Sequence, residues 1–256
     1  MKEEPGATGI FIDFDGTLAP IVNDPELARP LPGSVDVLAR LSARYRRVAV
    51  VSGRPVEYLA EHLSGAGETQ LVGLYGLERL VAGRATVEVP PEAERWREPV
   101  EKAATEAERR VSEDSGRLGS LRVERKGLTV TLHYRDAPQL ATWVQAFGTE
   151  QSSATGLIAH AGKMSLELRP PVSTDKGTVV SELAEGLSAL CYLGDDVGDL
   201  PAFDTLNTLR VRGLLTLAVA VRSGIGDETP EQVVAAADMV IDGPEGTLRL
   251  LSDLAD

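Results

Sequence analysis

The sequence predicts an α/β chain in which a parallel-sheet domain, assembled from two separated segments, carries an inserted domain of antiparallel sheet and helices. Three observations predict it. Short apolar runs ending on glycine or polar residues alternate with amphipathic helical patterns toward both ends of the chain, as expected of strands buried on both faces of a parallel sheet. After residue 88 this texture gives way to a long charged helix and then to strict period-two alternation. The buried pattern resumes beyond Pro170 and Pro171. The 256 residues suffice for a full core.

Taken in order, GIFID (residues 9–13) and VAVV (48–51) read as strands. Between them Val35, Leu38, Leu41 and Tyr45 recur at helical spacing. Pro55 opens a second helix whose apolar face is Val56, Leu59, Ala60 and Leu63. Residues 92–114 form a charged amphipathic helix interrupted near Pro99. In LRVERKGLTVTLHYR, Leu128, Val130, Leu132 and Tyr134 take one face, and Thr129, Thr131, His133 and Arg135 the other. A helix near 137–147 and two strands, GLIAH and SLELR, complete a hairpin, helix, hairpin pattern with helices on one face of the sheet. From Thr174 helices and strands alternate again through ALCYLGD, LTLAVAV and MVID to a last helix, EGTLRLLSDL. The expected boundaries are 1–88 and 173–256 for the two core segments and 89–172 for the insert.

Charge narrows the function. The chain has 26 basic and 39 acidic residues, a net −13 at pH 7, which argues against nucleic acid as partner because that needs a basic surface. The one cysteine, Cys191, sits in an apolar run with no second thiol to pair with, as in a reducing compartment. The start MKEEPGATG lacks the apolar stretch of a signal peptide, and no run is long enough to cross a bilayer. The expectation is a soluble, cytoplasmic protein, a monomer by default, with a small-molecule substrate and no membrane partner.

Ligands of open parallel sheets bind beyond the carboxyl ends of the strands. Asp13, Ser52 and Asp195 each stand at such an end. Asp13 and Asp15 are two apart and share a side of the extended chain, and Gly16-Thr17 lets the loop turn tightly with backbone N–H groups free for an anion. The fold then gathers Asp13, Asp15, Asp195, Asp196 and Asp199, which cannot all ionise together without a cation. Hard oxygen donors without a Cys/His cluster suit Mg²⁺. A carboxylate can attack phosphorus, and a second one can protonate the leaving alcohol and later activate water. Ser52 can donate to phosphate oxygens, and Lys176, at a helix start, can offset phosphate charge. Each piece alone has an ordinary reading, as a turn, a helix start or a solvated lysine; their order at successive strand ends is what makes a site of them.

In that order, "DFDGT", "SGR", "DKG" and "GDDVGD" resemble the haloacid dehalogenase-like phosphatases. The segments "VERKGLTVTLHYR", "GKMSLELRP" and "GLYGLE" look like the trehalose-phosphate phosphatases of that superfamily, and the likeness runs from about residue 9 to 250. The resemblance implies a Rossmann-like core with an α/β cap, an aspartyl-phosphate intermediate and Mg²⁺. It makes Asp13 the nucleophile and Asp15 the general acid/base. The metal would be held by the Asp13 carboxylate, the Asp15 carbonyl and Asp195, with Asp196 and Asp199 in support; Ser52 and Lys176 would grip the phosphate. Glu124, Lys126, Arg135, Lys163, Ser165 and Glu167 would contact the sugar. Cap closure over the core, hinged near 88–92 and 169–173, would exclude water. Two positions depart from the pattern: Tyr75 stands where many relatives have histidine, and Gly198 where threonine is frequent.

The implied reaction is hydrolysis of trehalose 6-phosphate to trehalose and phosphate. The core motifs see only the phosphoryl group, so phosphatases of sucrose phosphate, a mannosyl-phosphoglycerate or a hexose phosphate remain alternatives, as do a phosphomutase and a phosphate-binding regulator without turnover. Asp15 argues against the regulator, which needs no general acid. The three histidines, His62, His133 and His160, are read as structural or surface residues.

Overall fold

In the computed structural model all residues are described except 23, 24, 82, 83, 85, 163 and 223–228. The chain divides into two compact units, Met1–Glu88 with Thr174–Asp256, and Val89–Ser173. The first unit begins β1 (Thr8–Ile12), α1 (Ser34–Arg44), β2 (Arg47–Val51), α2 (Val56–His62), β3 (Gln70–Gly73) and β4 (Glu78–Leu80). The second holds α3 (Pro91–Glu94), α4 (Arg97–Glu113), α5 (Ser115–Leu118), β5 (Arg122–Arg125), β6 (Val130–His133), α6 (Ala141–Thr155), β7 (Ile158–Gly162) and β8 (Ser165–Arg169). The chain then returns to the first unit with α7 (Lys176–Leu183), β9 (Ala189–Gly194), α8 (Leu200–Val211), β10 (Leu215–Arg222), α9 (Glu231–Ala236), β11 (Met239–Asp242) and α10 (Gly243–Ala255).

Among the described residues, the first unit's sheet has seven strands in the order β11-β10-β9-β1-β2-β3-β4, parallel except for β4. Alternation decides which helices cover which face. Ile10, Ile12, Val48, Val50, Cys191 and Leu193 pack with Val37, Leu38 and Leu41 of α1 and Leu251 of α10. Phe11, Val51, Leu190 and Tyr192 turn the other way, onto Val179, Val180 and Leu183 of α7 and Phe203 and Leu206 of α8. The sheet is therefore covered on both sides, which is why its strands read as continuous apolar runs. β1 lies at the centre, between β2, the next strand in sequence, and β9. The order reverses there, and the carboxyl ends of β1 and β9 beside such a reversal are where open α/β sheets take their ligands.

β3 and β4 add two strands that the sequence patterns left out. QLVG is only four residues long, and β4 is a three-residue antiparallel edge, too short for periodicity to register.

The second unit's sheet runs β5-β6-β8-β7, every pair antiparallel. A turn closed by the Lys126 N–H donating to the Thr129 carbonyl, with Gly127 at φ 75°, separates β5 from β6. One face is apolar: Val130, Leu132, Leu166 and Leu168 are buried with Val100, Ala103 and Ala107 of α4 and Val144 and Phe147 of α6. The helical break falls at Arg95–Trp96, not at Pro99. Pro99 sits in the first turn of α4, where a missing N–H forfeits no helical bond. The helix near 137–147 extends to Thr155, where Gly156 at φ 82° ends it in the left-handed region. No helix among the described residues is long and apolar enough to cross a membrane.

Leu132 is fully buried in the second unit's core, whereas Val211 is 90% exposed. Leu132→Ala should cost about 2–5 kcal/mol in urea unfolding, and Val211→Ala less than about 0.5 kcal/mol. Equal effects would contradict the assignment of the core face.

Candidate active site

Asp13 follows β1 directly, and its N–H donates to the Leu193 carbonyl of β9 at 2.9 Å. The alternation that turns Phe11 toward α7 turns Asp13 the same way. There it meets Lys176, the first residue of α7, whose N-terminus is fixed by the Asp175 carboxylate accepting from the Thr178 N–H at 2.7 Å. The Lys176 Nζ lies 2.8 Å from Asp13 Oδ1 and 2.6 Å from Asp199 Oδ1, and all three side chains are almost wholly buried.

Asp199 is the most engaged of the carboxylates. Its Oδ1 accepts from Lys176 and from the Tyr192 hydroxyl at 2.6 Å. Its Oδ2 accepts from the N–H groups of Asp195 at 2.9 Å and Asp196 at 3.1 Å. Asp199 thereby clamps the turn that carries Asp195 at the end of β9. Asp195 in turn accepts from the Thr17 hydroxyl at 3.4 Å. Gly16, at φ 76°, leaves room for the Asp195 carboxylate where any Cβ would collide with it. Asp196 is exposed, and its carboxylate accepts from the Gly198 N–H at 2.8 Å.

Asp13, Asp195 and Asp199 offer carboxylate oxygens within 4.8 Å of one another. Burial pushes the Asp13 carboxyl well up; Lys176 opposes this, and the carboxylates of Asp199, Asp195 and Asp196 add to it. Burial alone would lower Lys176, but Asp13 and Asp199 hold its ammonium well above the ordinary lysine value. Among the described residues, Lys176 is set against the carboxylates of both Asp13 and Asp199. A buried, all-oxygen donor set of this kind fits a hard divalent cation.

Asp15 lies apart from this cluster and is half-exposed. Arg54 grips it in a two-pronged pair, Nε to Oδ2 at 2.8 Å and Nη2 to Oδ1 at 2.6 Å. The Arg54 guanidinium is buried and lies over the Tyr58 ring at 4.5 Å. Ser52 is buried beyond β2, where its Oγ accepts from the Arg54 N–H at 3.2 Å. The Tyr75 N–H donates to the Ser52 carbonyl at 3.0 Å, and the Tyr75 ring fills the space beside Gly53. Within GLYGLE, Glu78 accepts from the Val56 N–H at the start of α2, 2.9 Å away.

The second unit carries its own polar cluster on the face of its sheet opposite the apolar core. Thr131 pairs across to Glu124 on one side and Glu167 on the other. Lys126 Nζ lies 3.6 Å from Glu124 and 3.7 Å from Glu167. Thr129 donates to Glu167 at 2.9 Å, and His133 Nε2 lies 2.7 Å from Glu124 Oε2. Lys126, Glu124 and Glu167 are each about 15% exposed, so this is not a freely solvated face. Ser165 is half-buried opposite His133, and Arg135 is exposed on the turn after β6. Lys163 lies outside the described residues.

Four participants escaped the sequence reading. Arg54 stands in the SGR motif, in which the sequence gives a role to Ser52 alone. Tyr192 reads as core, although a buried tyrosine needs a partner for its hydroxyl. Thr17 belongs to DFDGT, where the sequence gives it only a place in the turn. His133, read as structural or surface, is bonded within the Glu124 cluster.

The trehalose-phosphatase family profile matches residues 11–233. A trehalose-phosphate phosphatase of Mycobacterium avium (strain 104) is 32% identical over 260 residues, covering 96% of this chain and 62% of that protein. The chain thus spans less than two thirds of that relative. Solved structures share the fold. A crystal structure of a trehalose-6-phosphate phosphatase related protein superposes with TM-score 0.77 at 23% identity, covering 96% of each chain. The C-terminal domain of the C. albicans trehalose-6-phosphate phosphatase gives 0.74 at 23% identity, covering 99% of this chain and 94% of that one. With the profile matched across most of its length, the chain belongs to the trehalose-phosphatase family.

Proposed function

We propose that this chain is a Mg²⁺-dependent phosphomonoesterase that hydrolyses trehalose 6-phosphate to trehalose and inorganic phosphate. The observation that carries the reading is the buried constellation of Asp13, Lys176, Asp199 and Asp195 at the switch point of the sheet. Family membership supports the substrate class.

In this reading Asp13 attacks phosphorus, the bond from phosphorus to the sugar oxygen breaks, and Asp15 gives its proton to that oxygen. Trehalose leaves as an alcohol and Asp13 carries the phosphoryl group. Water then attacks phosphorus, Asp15 takes its proton, and the bond to Asp13 breaks, which returns both carboxyl groups to their starting states. Lys176 offsets charge on the phosphoryl oxygens. The Ser52 hydroxyl, accepting from the Arg54 N–H, keeps its own proton to donate to them. Arg54 sets the direction of the Asp15 carboxylate through its two-pronged grip.

The cation would be held by the carboxylates of Asp13 and Asp195 and the carbonyl of Asp15, with Asp196 in support and Asp199 holding the frame. When bound it neutralises charge on the transferring group. The segment 89–172 is the cap, and Glu124, Lys126 and Glu167, together with Lys163, Ser165 and Arg135, recognise the sugar hydroxyls. The reaction belongs to the cytoplasm and to a monomer; the Cys191 thiol, pushed up to about 12 by burial, fits a chain that keeps its cysteine reduced and inert.

Phosphate release should favour trehalose 6-phosphate over sucrose 6-phosphate, glucose 6-phosphate and mannose 6-phosphate, and should vanish with EDTA and in Asp13→Asn. Release from a different sugar would keep the core chemistry and discard the sugar assignment.

Lys126→Met and Glu124→Gln should each lower kcat/KM for trehalose 6-phosphate about tenfold or more, the worth of a charge-assisted hydrogen bond, and leave p-nitrophenyl phosphate hydrolysis unchanged. Parallel losses on both substrates would assign these residues to the fold and not to the sugar.

Because the Asp13 carboxyl is raised in the metal-free fold, the folded chain holds a proton there that the unfolded chain has released, and stability from this group falls as pH rises above the ordinary carboxylate range. In metal-free urea unfolding, Asp13→Asn should therefore gain on the wild type as pH rises above the ordinary carboxylate range. A stability gap that does not move with pH would remove Asp13 as the raised group.

A further inference from the structure

Tyr192 lies on β9, fully buried, three residues before Asp195. It faces α7 and α8 with Phe11, Leu190 and Phe203, and its ring meets that of Phe203 edge-on at 6.0 Å. Phenylalanine would satisfy that packing. The hydroxyl instead donates to Asp199 Oδ1 at 2.6 Å, the same oxygen that takes the Lys176 ammonium at 2.6 Å. Lys176 is also 2.8 Å from Asp13 Oδ1. A single buried ammonium is thus contested by two carboxylates, and a neutral donor sits on one of them.

We infer that Tyr192 is a positioning residue for phosphoryl transfer: its hydroxyl occupies Asp199 Oδ1 so that Lys176 stays shared with Asp13. An oxygen that accepts a second, neutral donor has less charge to offer the ammonium. Without the hydroxyl, Asp199 Oδ1 keeps Lys176 as its sole donor among these contacts and draws it from Asp13 and from the phosphoryl oxygens. The backbone donors of Asp195 and Asp196 still hold Asp199 Oδ2, so the turn survives. The effect falls on the charge distribution at the reacting group and not on sugar binding. The inference rests on the phosphoryl-transfer reading above.

The test uses the full chain with saturating Mg²⁺ and trehalose 6-phosphate, comparing wild type, Tyr192→Phe and Phe203→Leu. Tyr192→Phe removes one oxygen and leaves the ring. It should lower kcat about tenfold with KM within about twofold of wild type, and single-turnover formation of the phosphoenzyme should slow by the same factor. Phe203→Leu, which disturbs the same packing without touching Asp199, should lower the melting temperature and leave kcat in place. An unchanged kcat in Tyr192→Phe would overturn the inference while the reaction stands. Equal kcat losses in the two variants would overturn it too, since packing would then account for both. If the wild type released phosphate from no ester at all, the phosphoryl-transfer reading would fall first and the inference with it.

Discussion

The site is organised around one buried ammonium. Lys176 is held by Asp13 and Asp199 at hydrogen-bond distance, in a place where neither the lysine nor the carboxylates reach bulk water. Removing one member of such a group typically costs about 3–5 kcal/mol, because the partners are left charged and buried. The local structure consists largely of what is needed to keep the group satisfied. Asp175 fixes the start of α7 so that Lys176 emerges at its first position. β9 supplies Tyr192 to one Asp199 oxygen, and the turn after β9 supplies two N–H groups to the other. Gly16 and Gly194 leave out the Cβ atoms that would collide with Asp195 and Asp199. Even so, burial holds the Asp13 carboxyl well above the ordinary carboxylate range, and the neighbouring carboxylates of Asp199, Asp195 and Asp196 add to what Lys176 opposes.

What could be read from the sequence follows from where the chemistry sits. Asp13, Lys176 and Asp195 were legible because strand ends and helix starts are local features, and a carboxylate closing an apolar run has few structural explanations. Arg54 and Tyr192 were not, because their roles depend on partners 39 and 7 positions away whose approach only the folded sheet creates. An arginine after a serine and glycine looks solvated, and a tyrosine in an apolar strand looks like packing. His133 keeps its structural reading, but its partner was hidden for a related reason. Period two assigns it to the polar face, but its bond to Glu124 depends on the turn at Lys126–Thr129 that sets β5 against β6. The missed strands β3 and β4 are the other kind of failure, since four and three residues carry no usable period.

Fold and chemistry are separable here, and the separation locates the specificity. A parallel sheet with a crevice at its switch point is shared by proteins of many functions, and structural likeness at 23% identity speaks to the fold alone. Within the core, Asp13, Lys176, Ser52 and Asp195 present charge and hydrogen-bond donors suited to a phosphoryl group, and none of them distinguishes one alcohol from another. Discrimination therefore has to come from groups that can tell hydroxyl patterns apart. The second unit's sheet has such groups in an arrangement that solvent alone does not explain. Thr129 and Thr131 are buried, Lys126 stands between two glutamates, and His133 ties down one of them. An antiparallel sheet whose outer face merely met water would have no need to shield threonines or to interlock its charges in this way. Fixed donors and acceptors of both kinds, already oriented by one another, lose little entropy on binding a polyhydroxylated ligand, and a ligand lacking the matching hydroxyl leaves them unpaired. Such an arrangement favours a ligand whose hydroxyls match it over one whose hydroxyls do not.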